Sequence, residues 1–166
     1  AYEIPKRDWS SDVCSSDLIK SCQSNLELVS KSDVVVIAVK PQNITEVLEE
    51  IGKKISKDQT LVSIVASIPT ALMEKKLSKN VPVIRAMPNT PAFVGAGMTA
   101  WCAGSFVAES HFEKIQTLFK PLGKVARVDE KHLDAVTGLS GCGPAYIDRK
   151  STRLNSSHVS ESRMPS

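Results

Sequence analysis

Asp33-Val34-Val35-Val36-Ile37-Ala38-Val39-Lys40-Pro41 is a continuous apolar run bounded by an acid at one end and a Lys-Pro turn at the other. An unbroken run of β-branched residues fits a strand buried on both faces, as in a parallel sheet, better than a strand with one wet face. The period then changes. Asn43 offers an N-cap with Glu46 three residues later, a capping-box-like start. Ile44, Val47, Leu48, Ile51 and Ile55 follow at helical spacing and face one way. Thr60–Ala66 reads as a second strand, and a second helix begins near Pro69 with Leu72, Met73 and Leu77. A third strand runs from Val81 or Val83 to Ala86 and stops at Pro88. This alternation predicts repeated right-handed βαβ units: an α/β fold with a doubly wound, mostly parallel sheet. Gly97–Ala103 offers another strand, open to an antiparallel placement, before a helix from about Ser110 to Leu122. Val125–Val128 closes as a short edge strand. Helical residues from about Lys131 then meet a break at Gly138–Pro144.

Composition narrows the function classes. At 166 residues the chain has room for one sizeable core, and 42% hydrophobic against 23% charged residues is ordinary for a globular protein. A net charge of +3, with lysines scattered over helix-like stretches, argues for solvated faces and against a nucleic-acid footprint. No apolar run approaches a membrane span, and the first residues lack the order of a signal peptide. Cys14, Cys22, Cys102 and Cys142 show neither CxxC spacing nor the density of a disulfide scaffold, so a reducing compartment is the expectation.

The two ends read differently. Asp8–Leu18 is DWSSDVCSSDL and Asp148–Ser166 is DRKSTRLNSSHVSESRMPS, both polar, serine-rich and without period. Back-translated, the first resembles a common sequencing-library adaptor, and the second its reverse complement followed by a barcode-sized gap and the adaptor's continuation. Both are expected to be artefactual or foreign and are set aside from fold reasoning. Plain disordered tails are the blander reading. The expected organisation is a foreign segment over 1–18, a partial nucleotide-binding domain over 19–130, the start of a helical dimerisation domain over 131–147 and an artefactual tail over 148–166.

In parallel sheets ligands bind beyond the carboxyl ends of the strands. Three strand ends here have that character: Ala38-Val39-Lys40-Pro41, Ile64-Val65-Ala66-Ser67 and Ala86-Met87-Pro88-Asn89-Thr90-Pro91. Each alone is equally ordinary turn chemistry. Together, DVVVIAVKP, VSIVASIP, VIRAMPNTPAFVGAGMTA and LDAVTGLSGCGPAYI resemble, in unbroken order, the motifs of pyrroline-5-carboxylate reductases. The likeness covers nearly all of Ile19–Ile147. The MPNTPA-VG-GMTA and TGLSG-GPAY stretches are highly specific to that family, whereas the AVKP turn is shared with related dehydrogenases.

This resemblance implies a Rossmann-like domain, incomplete at both ends, and reduction of 1-pyrroline-5-carboxylate to L-proline with NADPH or NADH. Carried over residue by residue, it places Ala38, Val39, Lys40 and Pro41 beside the adenosine and ribose, and Asn25 near the adenosine phosphate region. Ile64, Val65 and Ala66 pass near the pyrophosphate and nicotinamide ribose; Met87, Pro88 and Asn89 approach the nicotinamide. Lys40 could serve a phosphate or simply be solvated, and Asn89 could orient a carboxamide or cap the following turn. Ser140, Gly141 and Gly143 are read as close packing at a helix break, Cys142 as a small buried thiol, and His111 and His132 as helix-surface residues without partners. No metal or catalytic side chain is assigned. The family's glycine turn should precede Ile19 and its helical second domain, which holds substrate and forms the homo-oligomer, should follow Ile147. This chain is therefore expected to be inactive alone, in a cytoplasmic or mitochondrial setting. The alternatives are another dehydrogenase of the hydroxyacid or prephenate type, and a non-functional chimeric translation product.

Overall fold

The computed structural model describes residues 22–77, 80–144 and 146. The stretches Asp8–Leu18 and Asp148–Ser166, with the organisation read into them, lie outside the described residues. Strands β1 (Val34–Ile37), β2 (Thr60–Ser63), β3 (Val83–Met87), β4 (Gly97–Ala103) and β5 (Gly123–Arg127) form one sheet in that spatial order. β1, β2 and β3 run parallel, Val35 opposite Leu61 and Leu61 opposite Val83. β4 is antiparallel to β3, with Ala86 opposite Trp101, and β5 runs parallel to β4. The α/β, mostly parallel sheet expected from the apolar runs is what forms.

Helices α1 (Asn25–Ser30), α2 (Ile44–Ile51) and α3 (Thr70–Leu77) pack on one face. Ile44, Leu48 and Ile51, joined by Ile55, bury on Val35, Ile37, Leu61 and Val83. Full burial of such side chains stabilises by about 1.5–3 kcal/mol each. On the same face Leu133 of α5 (Glu130–Val136) covers Ala100 and Cys102. The other face is covered by α4 (Ser110–Phe119), whose Ile115 and Phe119 meet Val62, Ile84 and Trp101. Arg127 lies over the Phe112 ring at 4.4 Å, beside the Trp101–Phe112 contact.

Several local expectations are corrected. β1 is not buried on both faces: Val35 and Ile37 are core, but Val36 is 45% exposed because no described helix covers that end of the second face. Asn43 makes no capping bond, because a 3-10 turn over Pro41–Asn43 already carries the chain into α2 with Asn43 in the helical region. β2 ends at Ser63 rather than Ala66, where Ser67 takes a left-handed φ of 64°. Leu72 is exposed, since the stripe that faces the sheet passes through Thr70, Met73 and Leu77. The expected break at Gly138–Pro144 is instead a widened helix: α5 continues as π-helix over Thr137–Gly141.

Candidate functional site

Parallel pairing brings the carboxyl ends of β1, β2 and β3 to one edge of the sheet. Ala38, Val39, Lys40 and Pro41 follow β1; Ile64, Val65 and Ala66 follow β2; Met87 ends β3 and leads into Pro88 and Asn89. Ten of the eleven residues expected from sequence thus share this edge; the eleventh, Asn25, lies on α1 beside β1 and the turn after it. A cleft of about 110 Å³ is lined by Asn25, Val36, Ala38 and Val39 among others. That is well below the roughly 300 Å³ of a small-molecule pocket, so any large ligand lies across the open edge rather than inside it. A larger concavity, about 500 Å³ and lined by Cys102, Arg127, Glu130 and His132, opens at the opposite edge, where β4 ends beside the start of β3.

The side chains differ in what they have free. Lys40 is exposed and pairs with no described residue, which leaves its ammonium to solvent or to an anion. The Asn25 amide donates to the Glu50 carboxylate of α2 at 2.7 Å. Ser63 Oγ accepts from the Val65 amide at 3.3 Å and shapes the turn after β2. The Asn89 side chain caps nothing in the 3-10 turn that follows it. Its Oδ1 accepts from the Met98 amide at 2.8 Å, and its Nδ2 donates to the Ser140 carbonyl at 3.1 Å.

Around Met87 the widened helix comes close. A Cβ on Gly141 would stand 3.2 Å from the Met87 Cε, so packing is the role there, whereas Gly138 and Gly143 face open space. Cys142 is exposed, not buried, because it lies at the C-cap of the π segment, past the last turn that touches the sheet. His111 does have a partner: its Nδ1 meets the Ala108 backbone at 3.1 Å, just before α4. His132 is exposed on α5.

A cluster absent from the sequence reading locks α5 to the sheet. Arg85 on β3, 4% exposed, donates to Asp134 at 2.7 Å and stands 3.6 Å from Glu130. Glu130 in turn accepts from the Thr70 amide and hydroxyl. Cys102, opposite Arg85 on β4, has its thiol pushed up to about 11 by burial, with the Glu130 charge adding to the rise. The partners are too far apart in sequence for any spacing rule to link them; an arginine inside an apolar strand was the one signal. Among the described residues no group of three His, Cys, Asp or Glu could hold a metal. No described helix is long and apolar enough to cross a membrane.

Comparison with known proteins places this geometry. The family profile described as NADP oxidoreductase coenzyme F420-dependent matches residues 8–67, a span that includes the whole serine-rich stretch Asp8–Leu18. A pyrroline-5-carboxylate reductase of Mycobacterium tuberculosis is 42% identical over 130 residues, 75% of this chain and 44% of that protein. The chain therefore spans less than half the length of this relative. Among solved structures, the pyrroline carboxylate reductase of Plasmodium falciparum with NADP bound superposes with a TM-score of 0.80 at 30% identity, over 84% of this chain and 53% of that one. Prephenate dehydrogenase of Aquifex aeolicus shares the fold alone, with a TM-score of 0.59 at 12% identity over 80% of this chain and 52% of that one.

Proposed function

The chain belongs to the pyrroline-5-carboxylate reductase family, and on that premise we propose that its described residues form the nucleotide-binding edge of an NAD(P)H-dependent reductase. The observation that carries this reading is the gathering of Ala38–Pro41, Ile64–Ala66 and Met87–Asn89, each unremarkable alone, at the carboxyl ends of three adjacent parallel strands. Small residues there, Ala38 and Ala66, let a ligand approach the backbone of the turns that follow β1 and β2. Lys40, unpaired at the lip of β1, offers a cation to a phosphate. Met87, backed by Gly141, supplies an apolar wall of adjustable shape.

A reduced nicotinamide, when bound, supplies the hydride that reduces a C=N bond. The chain's contribution is to hold that donor in place and keep its surroundings apolar. The reaction of the whole-length protein is proposed to be reduction of 1-pyrroline-5-carboxylate to L-proline. The substrate carboxylate would be held, and the homo-oligomer formed, by the part of the family that this chain does not match. The setting is proposed to be cytoplasmic or mitochondrial. Grafting residues 33–144 into the matching span of the Mycobacterium tuberculosis relative tests this. Substrate-dependent oxidation of NADPH or NADH by the chimera is the expected result. A folded chimera that neither binds nucleotide nor turns over would overturn the proposal.

A further inference from the structure

Ser140 takes a donor to its carbonyl from outside its own helix. Its carbonyl would ordinarily accept from the backbone four residues on, and that residue is Pro144, which has no N–H. The segment Thr137–Gly141 is widened into π-helix, with the Cys142 amide reaching back to the Thr137 carbonyl at 2.9 Å. Its two hydroxyls both turn back on the helix, Thr137 to the Leu133 carbonyl at 2.7 Å and Ser140 to the Val136 carbonyl at 3.1 Å. Neither supplies a donor to the Ser140 carbonyl. Asn89 does, from another element, at 3.1 Å.

The same carboxamide is held at its other end by the Met98 amide at 2.8 Å, on β4. Its orientation is dictated by its neighbours. Turned over, it would aim its NH₂ at an N–H and its oxygen at a carbonyl, and both contacts would repel. One half-buried side chain thus joins the end of β3, the start of β4 and the π segment. The residue after Ser140 is Gly141, which lies against the Met87 methyl. Where Ser140 sits therefore decides how the helix meets Met87.

We propose that Asn89 is a positioning residue: its carboxamide latches the π-helical segment Thr137–Gly141 over the carboxyl end of β3, and so sets the shape of that end of the candidate nucleotide edge. Asn89 acts through the segment and makes no direct ligand contact. The shaping of the nucleotide edge rests on the nucleotide reading above; the latch itself does not.

The experiment uses the full 166-residue chain with ¹³C-labelled methionine methyls. Asn89→Asp keeps an acceptor for the Met98 amide and removes the donor to Ser140; Asn89→Leu removes both. In ligand-free protein both variants should shift the Met87 methyl resonance beyond its linewidth, while the Met73 methyl, deep in the core, stays put and reports an intact fold. NADPH titration of Asn89→Asp should then show weaker binding by up to about tenfold, the most that one ordinary internal hydrogen bond coupled to binding contributes. An unmoved Met87 methyl in Asn89→Asp would overturn the latch, as would weakened NADPH binding without any Met87 shift, which would mean direct contact. Failure of the unaltered chain to respond to NADPH would overturn the nucleotide reading instead, and the ligand-free comparison would still decide the latch.

Discussion

The Glu130 carboxylate closes the N-terminus of a helix 60 residues before it, accepting from the Thr70 amide at 2.7 Å and the Thr70 hydroxyl at 2.8 Å. A side chain from α5 thus does for α3 what a local N-cap would do, and α3 has an acceptor where its first amides are otherwise orphaned. The same carboxylate stands 3.6 Å from the buried Arg85 guanidinium. Burial makes this arrangement costly to break.

Glu130→Ala should lower stability by roughly 2–4 kcal/mol, because it strands the Thr70 donors and leaves buried Arg85 with Asp134 alone. Arg85→Met should be milder than Arg85→Ala, since it removes the buried cation and keeps most of the volume. Urea midpoints at constant slope give both values. A Glu130→Ala midpoint equal to that of the unaltered chain would show that the cluster holds nothing.

Gly123 takes a φ of 136°, and a Cβ there would run into the Gly97 carbonyl oxygen across the β4–β5 ladder. Gly123→Ala should therefore detach β5 from β4 and cost on the order of 2–4 kcal/mol, through strain and lost pairing together. Hydrogen exchange is the readout. Amides of Thr99 and Trp101 should lose protection before those of Leu61 and Val62; uniform protection across the sheet would contradict the paired-glycine account.

Cys102 is buried and its thiol is pushed from an ordinary 9.0 to about 11, whereas Cys142 is exposed. Iodoacetamide at pH 8 should label Cys142 and spare Cys102, as peptide mass spectrometry would show. Because the folded value lies above the unfolded one, the folded state binds more protons between pH 9 and about 11. Stability from this group is complete below pH 9 and is lost across that window. Cys102→Ser should flatten the fall in that window; equal labelling of the two thiols in the native protein would refute the burial argument.

The sheet was legible because its central strands are apolar runs long enough to be nothing else, and the helices between them announce one buried stripe each. Helix α1 went unread although it carries a signal: Ser24 Oγ accepts from the Glu27 amide at 3.2 Å, the Ser-x-x-Glu pattern of an N-terminus. Exposure of Val36 was not legible, because whether a strand's second face is covered depends on elements far along the chain. The candidate edge was legible only as three strand ends. Of the two readings of Asn89, side-chain capping of the next turn did not form, since its side-chain partners lie 9 and 51 residues away. Pro144, four residues past Ser140, removes the α-helical donor for that residue's carbonyl.

The central claim, that the carboxyl ends of β1, β2 and β3 form the nucleotide-binding edge, is tested most directly by titrating NADPH into the ¹⁵N-labelled chain. Binding is expected to be weak, in the ~millimolar range, since a ligand on this edge lies across an open surface rather than in an enclosed pocket. The amides of Ala38, Val39, Lys40, Ile64, Val65, Ala66 and Met87 should shift together along one binding curve. Gly104, Arg127 and Val128, at the opposite edge, should not move. Shifts confined to that opposite edge, or none near β1, β2 and β3 at any NADPH concentration, would contradict the account.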